Sequence, residues 1–152
     1  MIEVLVVLGI MAILALMAVP ALQDRIIRDR VAAALPLADV AKTPIALAWA
    51  ATQTFPADNA SAGLPIPEKF VSNYVSSVAI ANGAIHITFG NSAGSVLIGK
   101  ILSIRPAVVA DAPIVPITWV CGNADWPVAM RINGENKTDL PANFLPVNCR
   151  AP

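Results

Sequence analysis

Apolar positions in this chain fall into two regimes that meet at Pro20. From Met1 to Val19, in MIEVLVVLGIMAILALMAV, every residue is apolar or small except Glu3. As a helix this run is about 28 Å long, close to the thickness of a bilayer's hydrocarbon core. It needs an apolar surrounding: lipid, a protein core, or copies of itself. A carboxylate in hydrocarbon costs roughly 2.5–3.5 kcal/mol, so Glu3 calls for a partner. Beyond Pro20 the pattern becomes amphipathic. Asp24, Arg25, Arg28, Asp29 and Arg30 bring charge, while Ile27, Val31, Ala34 and Leu35 recur at helical spacing. Asp24 and Arg28, four apart with the acid first, form a favourable helical pair. The spacing predicts one long helix to about Ala51, apolar all round in its first half and amphipathic in its second. Pro20, Pro36 and Pro44 interrupt it. Each removes a donor and crowds the turn before it, so each is expected to bend the helix, and Gly9 weakens the apolar half further.

Periodicity then disappears. Thr54 to Phe70, with Pro56, Asn59, Gly63, Pro65 and Pro67, reads as an irregular surface loop. Alternation follows. Tyr74–Ala81, Asn82-Gly83 and Ala84–Phe89 form a strong hairpin signal, because Asn-Gly suits the type I′ turn. Ile85, Ile87 and Phe89 point to one face, and Ala84, His86 and Thr88 to the other. After a turn at Gly90–Gly94, Ile98–Arg105 is a third strand stopped by Pro106, and Ile117–Cys121 is a fourth. A small further hairpin is expected around Asn133-Gly134. The predicted fold is α+β: a long N-terminal helix whose apolar half protrudes and whose amphipathic half packs on a four-stranded antiparallel sheet. The division is 1–22, an apolar helix that spans lipid or packs against copies of itself, and 23–152, a globular head.

Composition sharpens this picture at three points. Charged residues make up only 13% of the 152 residues and hydrophobic ones 57%, which suits a subunit that buries much surface against its own copies. Formal net charge is +0, which gives no general argument for nucleic acid. The two cysteines, Cys121 and Cys149, behind an apolar span read as one disulfide in an extracytoplasmic domain. The N-terminal run lacks the basic start and small-residue cleavage site of a secretory signal, so it reads as retained.

Candidate chemistry is sparse. His86 is the only histidine and lies far from the cysteines, so it reads as a satisfied or solvent-facing residue rather than a metal ligand or base. No nucleophile elbow, phosphate loop or metal spacing occurs. The expectation is a protein that is not an enzyme, with no cofactor and no metal. Asn59-Ala60-Ser61 and Asn136-Lys137-Thr138 match the short N-glycosylation pattern. Lys100, Arg105, Arg131, Lys137 and Arg150 are candidates for a basic patch toward DNA.

Two motifs carry a family resemblance. Ile2-Glu3-Val4-Leu5-Val6-Val7, Gly9-Ile10 and the Ala/Leu/Ile/Met run to Pro20 resemble the N-terminal helix of type IV pilins. Trp119-Val120-Cys121, with Pro141, Phe144, Leu145, Pro146 and Cys149, resembles the family's terminal "Pro-x-x-aromatic-Leu-Pro-x-x-Cys" segment. The mature family chain starts Phe-Thr-Leu-Ile-Glu. Here the matching acid is third and Met1 stands where the leucine would be, so either the mature start lies two residues earlier, which is the favoured expectation, or Met1 is the start and the usual processing site is lacking. N-terminal methylation is tied to that start.

The resemblance implies a structural subunit of a type IV pilus, of the type IVa major kind, polymerising into a cell-surface filament for adhesion, twitching motility and possibly DNA uptake. It implies that Glu3 pairs with a neighbouring subunit's N-terminal amine, that Gly9 and Pro20 mark a kink or melted segment within Ile13–Pro20 in the filament, and that Cys121 and Cys149 form the terminal disulfide. The implied partners are copies of the same chain, the bacterial inner membrane before assembly, and the assembly machinery: a prepilin peptidase, a platform protein and an ATPase motor acting indirectly. The alternatives are a minor pilin, a type II secretion pseudopilin, or a single-span membrane-anchored binding module.

Overall fold

A computed structural model describes residues Met1–Pro152. Helix α1 runs over Ile2–Thr52, 51 residues and about 76 Å of rise. It stays helical through Pro20, Pro36 and Pro44. Each proline withholds one N–H, from the carbonyls of Leu16, Ala32 and Val40, and all three of those residues are exposed. Water or a neighbouring chain can therefore satisfy what the prolines leave open. The helix ends where Gln53 turns left-handed, at φ 54°, and its N–H donates to Trp49 O at 2.8 Å.

Val31, Ala34, Ala38, Ala41 and Ile45 are the fully buried helix positions. Their alternating steps of three and four make a single stripe, and the three alanines let the helix lie close to the sheet. Beneath it run β1 (Val75–Ala81), β2 (Ala84–Phe89), β3 (Ile101–Val108) and β4 (Thr118–Cys121), antiparallel and in that order, with the short β5 (Arg131–Ile132) added to β3. Val78, Ile85, Ile87, Phe89, Leu102 and Ile104 meet the helical stripe in one core, joined by Leu140, Leu145 and the two cysteines. Each of the larger side chains contributes roughly 1.5–3 kcal/mol through burial.

The hairpin forms as the Asn-Gly signal predicts. Asn82 and Gly83 both take positive φ, 49° and 82°, and Ile80 pairs with Ile85 and Val78 with Ile87. Gly83 is doubly required, because a Cβ there would lie 2.6 Å from the Phe55 ring.

Three sequence expectations need correction. The third strand does not stop at Pro106 but runs through it to Val108. β2 leaves the ladder after Ile104, and there the Pro106 carbonyl accepts from Asn133 N–H at 2.8 Å. A residue's N and O lie on the same side of a strand, so the proline withholds no bond from β4. The sheet has a fifth strand. Asn133-Gly134 closes no local hairpin, since the Arg131–Ile132 strand before it pairs with Val108 and Ala107 instead. The sheet's other face, bearing Ala84 and His86, is covered as well, for both are buried together with Ser103 and Arg105. The C-terminal segment covers it: Ser103 N–H donates to Thr138 Oγ1 at 3.0 Å and Lys137 N–H to Ser103 Oγ at 2.9 Å.

Candidate assembly interface

Every residue from Met1 to Gln23 is exposed in the single chain. The large apolar side chains among them, from Ile2 and Val4 to Val19 and Leu22, have no partner anywhere in the head. Glu3 sits in the first turn, where the helix dipole favours an acid, and it forms no ion pair within the chain. A Cβ on Gly9 would meet nothing within 4 Å, so packing inside this chain does not require a glycine there.

The apolar surface does not end where the head begins. On the face of α1 opposite the buried stripe, Ala33, Pro36, Val40, Thr43, Leu47 and Ala50 are all exposed. Their steps of three and four form a second stripe, with Val40 58% and Leu47 66% exposed. Helix α1 thus uses one face for its own core and offers the other along its full length.

Two arginines hold the helix to the head through backbone carbonyls. Arg28 Nε donates to Asn143 O at 3.0 Å and Arg30 Nη1 to Ala93 O at 2.8 Å. They tie α1 to the C-terminal tail and to the β2–β3 connection. The sequence pairs Arg28 with Asp24, but no ion pair forms between them, and nothing in the sequence reveals the backbone acceptors of either arginine.

The tail is held at both ends. Cys121 and Cys149 form a disulfide across 28 residues, with Cα atoms 4.6 Å apart. Gly122 takes φ 55°, and a Cβ there would meet Cys149 O at 2.7 Å. Its carbonyl collects the Arg105 guanidinium at 3.2 Å and Asn136 Nδ2 at 3.1 Å. Inside the loop that the disulfide closes, Trp126 and Val128 are exposed.

Other candidates from the sequence resolve differently. Asn59 is buried, with Nδ2 on Val78 O and Pro65 O, both at 2.9 Å, and Oδ1 accepting from Ile80 N–H at 2.7 Å. It closes the free edge of β1, and no hydrogen on its amide is left for a glycan. His86 is buried, its Nδ1 sharing a hydrogen bond with Ser103 Oγ at 2.8 Å and its Nε2 lacking a partner. Burial, and secondarily the Lys137 charge, hold its pKa below the ordinary histidine value, while Glu135 opposes weakly. Of the five basic residues, Lys100 faces Asp139 and Lys137 faces Glu135, at 3.8 and 4.0 Å. Arg105 is buried against Trp126, with its pKa lowered by desolvation, and Arg150 bonds Leu145 O at 2.8 Å. Arg131 alone is exposed and unengaged.

A bare apolar half-helix led by one acid, a second apolar stripe along the head, and a disulfide-closed tail together define a subunit shaped for helix-to-helix assembly. The chain belongs to the pilin family of bacterial filaments, whose sequence pattern matches residues 28–150. It is 31% identical, over 99% of its length and 91% of the relative's, to a fimbrial protein of Neisseria meningitidis serogroup A. A type IV major pilin protein, PilE, of Neisseria gonorrhoeae is also 31% identical over the same shares. A fimbrial protein, EcpC, of Eikenella corrodens is 30% identical, over 99% of this chain and 88% of that one.

Proposed function

We propose that this chain is the polymerising subunit of a type IV pilus. The observation that carries this reading is the uncovered apolar length of α1, which includes all of Met1 to Gln23 and continues as the outer stripe of the head. Such a surface is stable in lipid before assembly and in a bundle of like helices afterwards. The subunit waits in the inner membrane with residues 1–22 spanning it and residues 23–152 in the periplasm, then joins the base of a filament that reaches the cell surface. Glu3 and a neighbour's N-terminal amine, each costly alone in hydrocarbon, neutralise one another across the subunit contact. A platform protein and an ATPase motor drive extension and retraction, after a prepilin peptidase has set the mature start. The disulfide-closed tail favours a pilin over a secretion pseudopilin.

Adhesion and twitching motility follow from a retractable surface filament. DNA uptake finds less support, because four of the five basic residues are paired, buried or bonded to backbone. The direct test is Glu3→Ala in the native cell, with surface filaments sheared and viewed by electron microscopy. Filaments should disappear while the chain stays in the membrane fraction. Undiminished filaments in that variant overturn the role given to Glu3, and wild-type cells with no filaments containing this chain overturn the reading itself.

A further inference from the structure

At the end of the head opposite the protruding helix lies an open cleft of about 520 Å³. Trp49 and Gln53 of α1, Phe55 beyond it, Asn82 of the hairpin turn, and Arg131 and Asn133 of the C-terminal insert face it. No acid lines it, so Arg131 is its only charge. Four segments build it, the fourth being β3 through Val108, and they are locked together. Trp49 and Phe55 stack, with ring centroids 4.7 Å apart. Phe55 packs on Gly83, the Asn133 amide donates to Asn82 O at 2.7 Å, and Gly134 packs against Ala84. The cleft is therefore formed before any ligand arrives.

Its unused groups are of one kind. The Arg131 guanidinium has no acidic partner and no hydrogen bond within the chain, and neither the Gln53 nor the Asn82 carboxamide has an internal partner. Gln53 and Asn82 both hold positive φ, 54° and 49°. A guanidinium fork matches a planar carboxylate, and free carboxamides match hydroxyls as both donor and acceptor. Trp49, Phe55 and Val108 supply the apolar part of the lining beside these polar groups. The α1 C-terminus, with no basic residue in its last turn, adds partial negative charge that opposes any anion, and a dianion more than a monoanion, so Arg131 has to outweigh it.

We propose that this cleft binds a carboxylate-bearing sugar, the acid on Arg131 and the ring hydroxyls on Gln53 and Asn82. The site belongs to the head, so it stands or falls separately from filament assembly. The test uses full-length protein in detergent micelles and saturation-transfer NMR of glucuronate, with glucose and glucose 6-phosphate as comparators. Glucuronate should bind saturably and more tightly than either. Arg131→Gln should weaken it about tenfold or more, the scale of a lost charge-assisted hydrogen bond. Gln53→Gly and Asn82→Gly keep their left-handed backbone and the charge, and should weaken it by less. Absence of glucuronate binding at millimolar sugar overturns the proposal. So does equal binding of glucose, preference for the phosphate, or glucuronate binding unchanged in all three variants.

Discussion

His86 shows how one buried ring couples this fold to pH. Ser103 Oγ already accepts Lys137 N–H, and the imidazole completes the hydroxyl's partners. Nε2 has none, so a second proton would place charge on a buried, unpartnered atom. Burial accordingly depresses the folded-state pKa. The unfolded chain takes the proton first as pH falls. Stability is therefore full above the ordinary histidine value, declines as pH drops through it, and levels off below the folded pKa. Thermal melts between about pH 5 and 8 should show the midpoint falling below about pH 6.5, with that slope flattened in His86→Gln. An identical slope in the variant would place the proton elsewhere. Asn59 is the other residue whose burial decides its role. Asn59→Ala removes three hydrogen bonds and leaves the β1 edge open, at a cost of about 1–3 kcal/mol, read as a lower midpoint in chemical denaturation. No change in midpoint would mean that water replaces the side chain fully.

At the scale of elements, α1 carries the conflict between one chain and many. Alone, it is helical through Pro20. The carbonyls its prolines leave free belong to residues that are exposed here, yet Leu16 lies in the half that a filament would bury. A buried carbonyl without a donor costs about 1–3 kcal/mol, so the close-packed state favours local unwinding, which Gly9 and Pro20 make easier. A reconstruction of the filament should show non-helical or kinked backbone within Ile13–Pro20. An unbroken straight helix there would count against this. The hairpin and the start of the helix stripe were legible because each depends on local spacing: Asn82-Gly83 sets its own turn, and Val31 and Ala34 recur at helical spacing, whereas Ile27 and Leu35 are only partly buried and Ala38, Ala41 and Ile45 carry the stripe onward. The continuation of β3 through Pro106 was not legible. It depends on where β2 ends and on Asn133, far along the chain.

For the whole molecule, the tail is the least self-sufficient part. Residues after Gly122 contribute only one short strand, and the tail's other anchors are the disulfide, Leu140, Leu145 and single hydrogen bonds such as that of Arg28 to Asn143 O. Closing a loop of this size contributes about 3–4 kcal/mol by the chain-entropy argument. Reduction should expose residues 122–152 to protease before the helix–sheet core and weaken any filament whose outer surface includes them. Equal protease resistance before and after reduction would show that packing alone holds the tail.

The apolar run with its lone acid, the amphipathic continuation, the Asn-Gly hairpin and the cysteine pair were all determined by sequence alone. Each is a matter of residue type and short spacing, and together with the Pro141–Cys149 motif they were enough to point to the pilin family. Tertiary structure decided what covers what. It buried the second sheet face beneath the C-terminal segment and turned Asn59 from a glycan acceptor pattern into a strand-edge clamp. It also paired or buried four of five candidate basic residues and brought Trp49, Asn82 and Arg131 to one cleft. These outcomes rest on contacts between residues tens of positions apart, whose partners no local pattern encodes.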